Sequence, residues 1–364
     1  MLETADKLIE TLQNIASDIQ IQENFCIRHP NYQPFALPAD VVARFERNPL
    51  HLQQKYRALL LRNFIYGIYF NASLRNSLTN CPLRVSRIYT LHHNLENNSI
   101  LGIDKDFYTE LHDRNCGTGY FDGDWEVLRR EPDGSVAVVK AGLTMYAESD
   151  KHLVPDAPIA KRGDRIAIKL PKNRLQNGFY IAISNAGQQR QNRDRDLGLG
   201  KVYFNISKEG AIALMDTLTL ELNAVEIPFS FQVLCHPAAF GRYDSCVLCF
   251  EKQDYSTIRQ VLQTTYLSHQ SHFSSETPLF TKLLAPGLGL AEEPKQKFVQ
   301  QESFGMNRCQ IVANALAETW QKYGNSVDER IEAVQEYFIR FGIDLQRPYL
   351  NPNSEDIYTA ISQI

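Results

Sequence analysis

RIAIKLPKNRLQNGFYIAISNAG, residues 165–187, is the stretch on which the fold turns. In RIAIKL an extended backbone sends Arg165, Ala167 and Lys169 to one face and Ile166, Ile168 and Leu170 to the other. A strand with a cationic face and an apolar face is therefore expected. Pro171 has no N–H for a ladder, so it ends or edges that strand and leaves Lys172 and Asn173 at its tip. GFYIAISNAG, residues 178–187, reads as a second strand, KVYFNIS, 201–207, as a third, and IPFSFQVL, 227–234, as a fourth. A polar loop, QQRQNRDRDLGLG, lies between the second and third and holds Arg190, Arg193 and Arg195. Adjoining strands that gather cations and phenols suit an anion, with phosphate the first choice.

Outward from this stretch the pattern alternates between helix and strand. Ser207 is placed to cap the helix KEGAIALMDTLTLELNAV, whose stripe of Ala211, Leu214, Met215, Leu218, Leu222 and Val225 should lie on the sheet. WEVLRREPDGSVAVVKAGLTMYAE reads as a hairpin turning at Pro132, Asp133 and Gly134. NCGTGYFDGDW reads as a glycine-rich turn, with no dinucleotide fingerprint. FTKLLAPGLGLAEEP, residues 280–294, reads as a Pro/Gly-rich loop. The first seventy residues are read as amphipathic helices. Two more helices close the chain, the last with a capping box at Ser326 and Glu329. The expectation is an α+β fold. A central antiparallel or mixed β-sheet, from about Trp125 to Phe250, is flanked by N-terminal and C-terminal helices. The chain divides into residues 1–93, helical; 94–300, an α+β core; and 301–364, helices packing on that core.

The 364 residues carry a net charge of −4, with 43% hydrophobic and 22% charged residues. With a pI near 6.2, this balance argues against bulk binding of nucleic acid or of an anionic membrane. Seven cysteines show no metal-like spacing and suggest reduced thiols in a cytoplasmic protein. No apolar run is long enough to span a bilayer.

Several separated runs, taken together, resemble a known family. They are NCGTGYFDGDW, KLPKN, GFYIAISNAG, KVYFNIS, IPFSFQVL, GRYDSCVLCF, FTKLLAPGLGLAEEP, ESFGMNRCQ and the GLT at Gly142–Thr144. Their order and spacing resemble the Hop-A-one family of type III effectors, and more closely its stand-alone bacterial relatives found with peptide-modifying enzymes. The resemblance runs from about Asn115 to the C-terminus and covers the N-terminal helices only in type. It implies work in class V lanthipeptide or thioamitide biosynthesis. There a kinase-like partner phosphorylates Ser or Thr of a precursor peptide. The relative then acts as a phosphoserine/phosphothreonine lyase, giving dehydroalanine or dehydrobutyrine. The alternative is a non-catalytic effector-like module that binds a peptide or protein and assists the kinase.

Elimination of phosphate needs a base for the α-proton, cations for the phosphate dianion and donors for enolate-like charge. It needs no cofactor or metal. Lys172 and Lys169 are the leading base candidates, if neighbouring cations favour the neutral amine. His112 is the first choice of general acid and His236 the second. Arg165, Arg242 and Arg308 are candidates for the phosphate, although Arg242 could instead pair with Asp244. Tyr180, Tyr203 and Asn173 are possible donors to phosphate or enolate, with Asn205 a lesser one. The arginine loop could clamp a peptide. Cys116 and Cys309 read as buried-type thiols. The expected partners are a phosphorylated precursor peptide and a kinase-like protein, with no nucleic acid and no membrane.

Overall fold

The computed structural model describes residues 2–79, 99–100, 103–154, 160–189, 198–321 and 326–361. Pro171 is its pivot. The strand Arg165–Leu170 stops just before it and pairs with Tyr120–Arg130, not with the strands that follow. The result is a four-stranded antiparallel sheet in the order Leu143–Ala147, Val136–Lys140, Tyr120–Arg130, Arg165–Leu170. Trp125, Val127, Val136, Val138, Ala147 and Ile168 close a hydrophobic core of its own.

After Pro171 the chain enters a seven-stranded sheet. Its spatial order is Asn173–Gln176, Phe179–Ile183, Phe229–Leu234, Cys246–Glu251, Leu199–Phe204, Leu288–Glu292, Lys282–Ala285, and every neighbouring pair is antiparallel. The α+β class holds. The one sheet expected between Trp125 and Phe250 is two. The apolar side of Arg165–Leu170 is already committed to Trp125, and Pro171 cannot carry a ladder across.

Two more expectations change. Asn173 does not end a tip: Asn173–Gln176 folds back on Phe179–Ile183 through Asn177 and Gly178, at φ 52° and 78°. Two successive positive φ values match the twist of a two-residue hairpin loop, for which Asn-Gly is the favoured pair. The 280–294 stretch is not a loop either. Lys282–Ala285 and Leu288–Glu292 form an edge hairpin about Pro286 and Gly287. A Cβ on Gly287 would stand 2.1 Å from the Ser274 carbonyl oxygen, so only glycine fits that turn.

At the N-terminus, helices Leu2–Asp18, Ala39–Phe45 and Leu50–Ile65 accompany a three-stranded sheet, Gln20–Gln22, Cys26–His29 and Tyr32–Ala36, which the helical reading missed. Leu50–Ile65 continues into a π-helical turn, Tyr66–Phe70. Among the described residues no helix is long and apolar enough to cross a membrane.

The registers sort the side chains of the large sheet onto two faces. Val202, Phe204, Phe231, Leu248, Phe250 and Leu290 share one buried face. Tyr255 of helix Tyr255–His269 stacks on Phe250, 6.3 Å between ring centres. Helix Lys208–Ala224 packs beside it with Ala211, Leu214, Met215, Leu218 and Leu222 fully buried. Val225 lies beyond the helix end and is 43% exposed. Lys201 and Tyr203 point to the opposite face, with Ser230, Gln232 and Cys249 from neighbouring strands. Phe304 of helix Phe304–Gln321 and Phe70 of the π turn meet Tyr203 there.

Candidate functional site

The two faces of the large sheet separate the candidate residues into two clusters. The first forms where helix Lys105–Arg114 ends. Asp104 caps its start by accepting from the Phe107 N–H at 2.9 Å. Its last turn carries His112, stacked on Tyr108, with Nδ1 3.3 Å from the Tyr180 hydroxyl. Buried Asn115 donates to that hydroxyl at 2.9 Å and to the Lys172 carbonyl at 3.3 Å, and accepts from the Gly117 N–H. Asn173 donates to the Tyr108 hydroxyl at 3.2 Å. Lys172 Nζ donates to the carbonyls of His112 and Asn115, at 3.0 and 2.9 Å.

His112, Lys172, Asn173 and Tyr180 therefore meet. The role that geometry gives Lys172 is to cap the carbonyl end of a helix, where a cation is favoured, rather than to stand free as a base. Burial, then the charge of Lys172, hold the His112 imidazole below its ordinary value of 6.5. Burial pushes the Tyr180 phenol up. Arg165 and Lys169 do not join this cluster. They lie on the small sheet opposite Glu126 and Phe121, because the chain turns away at Pro171.

The second cluster is built on the other face, on a strand with ladders on both sides. Alternation along Leu199–Phe204 puts Lys201 and Tyr203 side by side. Lys201 Nζ stands 2.5 Å from Glu293 Oε2, and Lys297 pairs with the same carboxylate. Arg242 grips Asp244 with two N–H groups, at 2.8 and 3.0 Å. Tyr66 and Asn71 donate to the same Asp244 carboxylate, at 3.3 and 3.1 Å. The side chains of Lys201, Glu293, Arg242 and Lys297 keep 17%, 19%, 23% and 25% of their surface, while Tyr203 between the two ion pairs keeps 5%.

Electrostatics tie the pieces together. Burial works against the Lys201 ammonium, but Cys249 and Glu293 outweigh it and its pKa is raised. Burial, then Glu293, Cys249, Tyr66 and Asp244, drive the Tyr203 phenol well above its usual range, so it is a hydroxyl donor at neutral pH. Tyr203 feels both carboxylates, so the two ion pairs flank one phenol.

The remaining candidates have structural partners. Arg308 is 2% exposed and donates to the carbonyls of Pro348 and Leu350, at 2.8 and 2.9 Å, and to Asn307 Oδ1. A phosphate cannot reach it, which corrects the expectation. Asn205 is buried and donates to the Glu276 carbonyl. His236 Nδ1 accepts from the Ala238 N–H in its turn. Cys116 is exposed, against the buried-type reading; its thiol donates towards Asp216, and partial desolvation, then that carboxylate, raise its pKa. Cys309 is fully buried. Arg190, Arg193 and Arg195 lie outside the described residues. Among the described residues no group of three or more His, Cys, Asp or Glu is placed to hold a metal ion.

Sequence reasoning missed Lys201, Glu293, Lys297 and Tyr66. The signal for Lys201 was present: in KVYFNIS it shares a face with Tyr203, and a lysine on an interior strand needs a reason. Tyr66 sits in an apolar helical run and gave none.

Residues 170–350 match the model of the HopA1 effector protein family. That region belongs to the HopA1 effector family. Two solved effector proteins of Pseudomonas syringae are similar in structure. One, from pathovar tomato strain DC3000, is 18% identical and covers 68% of this chain and 81% of that one, with a TM-score of 0.39. The other, from pathovar syringae strain 61, is 13% identical and covers 96% and 99%, with a TM-score of 0.44. No curated protein matches the chain. The HopA1 region contains Lys201, Tyr203, Arg242, Asp244, Glu293 and Lys297 of the second cluster. It also contains Lys172, Asn173 and Tyr180 of the first cluster, and it excludes Tyr108, His112 and Asn115 of the first and Tyr66 and Asn71 of the second.

Proposed function

We propose that this chain is a phosphoserine/phosphothreonine lyase acting on a ribosomal peptide that a kinase-like partner has phosphorylated. The product is dehydroalanine or dehydrobutyrine, as in lanthipeptide or related biosynthesis. One observation carries the reading: within the HopA1 region, one face of the large sheet sets Lys201 beside the protonated phenol of Tyr203, with Lys297 on Glu293 and Arg242 on Asp244, the two carboxylates that act on that phenol. A guanidinium fork and two ammonium groups suit a phosphate dianion. Phosphate would enter by displacing Glu293 from Lys201 and Asp244 from Arg242.

The α-proton needs an acceptor that is unprotonated at neutral pH. On this face the ionised Glu293 meets that condition. Burial opposes its charge, but Lys201 and Lys297 keep its pKa low. The proton passes from the α-carbon to that carboxylate, the new C=C bond forms, and the C–O bond breaks with its electrons leaving on phosphate. Tyr203 donates to the departing oxygen or to the carbonyl that carries developing charge.

The second reading, a binding module without turnover, is favoured by one fact: each of these cations already has a carboxylate partner. Incubating the chain with a phosphothreonine peptide and following mass separates the two. Loss of phosphoric acid, abolished in Glu293→Gln and Lys201→Ala, supports the lyase. Binding with no mass loss supports the module.

A further inference from the structure

The four-stranded sheet lies outside the cluster just described and carries charge that the lyase reading does not use. Leu128, Arg129, Arg130, Ala160, Lys161 and Arg162 line an open groove of about 680 Å³ on it. All four cations there are exposed, on a chain whose net charge is −4. The groove is built by the fold. The ladder to Tyr120–Arg130 continues into the loop, where the Val127 N–H reaches the Asp164 carbonyl and the Gly163 N–H reaches the Val127 carbonyl. Lys161 and Arg162 are thereby held beside Arg129 and Arg130. On the other side Arg129, Ala137 and Tyr146 stand in one cross-strand row. Ala137 is small enough for Arg129 to reach over it to the Tyr146 hydroxyl at 3.2 Å. Tyr146 itself is 58% exposed.

We propose that this groove docks an extended acidic segment of a partner peptide. The segment crosses the strands from Tyr146 towards Arg162, with its carboxylates on Arg129, Lys161 and Arg162, while Arg130 alternates to the other face of the strand end. Crossing about three strand spacings of roughly 4.8 Å takes about four or five extended residues. A guanidinium beside a phenol offers both a carboxylate fork and an aromatic wall, which suit a peptide. A nucleic-acid backbone is a poorer fit, because Glu131 holds Arg129 at 2.7 Å and Asp164 accepts from the Lys161 N–H at 2.7 Å on the rim. A continuous row of phosphates would face both carboxylates, whereas a peptide can place its charges selectively.

The test uses the full chain and a fluorescein-labelled hexaglutamate peptide, followed by anisotropy at low salt. A hexalysine peptide and a single-stranded oligonucleotide serve as controls. Hexaglutamate should bind, and Lys161→Glu with Arg162→Glu together should weaken it by about tenfold or more with an unchanged circular dichroism spectrum. Adding salt should weaken it as well. Equal binding by the double variant overturns the proposal, and so does an oligonucleotide that binds as tightly and loses as much in the variant. Neither substitution touches Lys201, Arg242 or Glu293, so failure here is separate from failure of the lyase reading.

Discussion

Lys172 and Lys201 are both half-buried lysines near phenols, and their partners give them different work. Lys172 spends its N–H groups on two carbonyls at a helix end, so Lys172→Ala should cost about 1 kcal/mol of stability. Elimination should stay within a few-fold of wild type, measured on a phosphothreonine peptide alongside thermal melting. A hundredfold loss of rate in a folded Lys172→Ala protein would return the base to that residue. Lys201 faces Glu293 on the other face of the large sheet, and Lys201→Ala should lower the rate by at least about 10² while far-UV circular dichroism is retained. His29, His112 and His269 are all held below the ordinary 6.5, with burial the leading cause in each. The folded chain prefers these imidazoles neutral, so the unfolded chain binds more protons just below pH 6.5. Stability therefore rises with pH there and is lost as pH falls from about 6.5 towards the folded values. Melting temperature should drop between about pH 7.5 and about pH 5.5, and less steeply in His112→Gln. A variant with the wild-type slope would remove His112 from that account.

At the scale of elements, the C-terminal segment is tied down by charge more than by ladder. Glu292, 3% exposed, accepts from Lys252 Nζ at 2.7 Å, the Asn351 N–H at 2.9 Å and the Ser354 hydroxyl at 2.7 Å. Lys282 holds Asp356 at 2.7 Å, and Arg308 holds two carbonyls of the same segment. Glu292→Ala would take away the carboxylate that balances the Lys252 charge, leaving it the Ser354 hydroxyl and the Glu355 carbonyl, and should cost about 3 kcal/mol. Early proteolytic cleavage after residue 343 would show it, and wild-type resistance would deny it. These ties join residues far apart in the chain, and no local pattern announces them. What could be read was local. The Ser326–Glu329 capping box is present, Ser207 caps its helix, and the turn at Gly134 joins two paired strands. The Asn177-Gly178 hairpin was equally legible and was overlooked beside Pro171. The division of candidates between two faces depends on which strands pair, and alternation within one strand does not carry that. Lys201 and Tyr203 could be placed together from KVYFNIS, but the pairing of Lys201 with Glu293 requires the strand at Leu288–Glu292 to lie alongside.

For the whole molecule, the two sheets differ in how they are filled. The large sheet shares one core with residues from Leu8 to Ile361, whereas the small one closes over six buried residues of its own. Val138→Ala, at 0% exposure in that small core, should destabilise the small sheet by roughly 1–3 kcal/mol. Elimination should survive at the second cluster, while hexaglutamate binding falls. A variant that loses elimination and keeps peptide binding would reverse this division. Pro171 adds something to the picture. It supplies no amide proton, and the hydrogen-bonded ladders on its two sides have no rung in common. Opening one sheet therefore need not open the other, and in heavy water the amides of Val136–Lys140 should trade their hydrogens for deuterium on a clock independent of Leu199–Phe204.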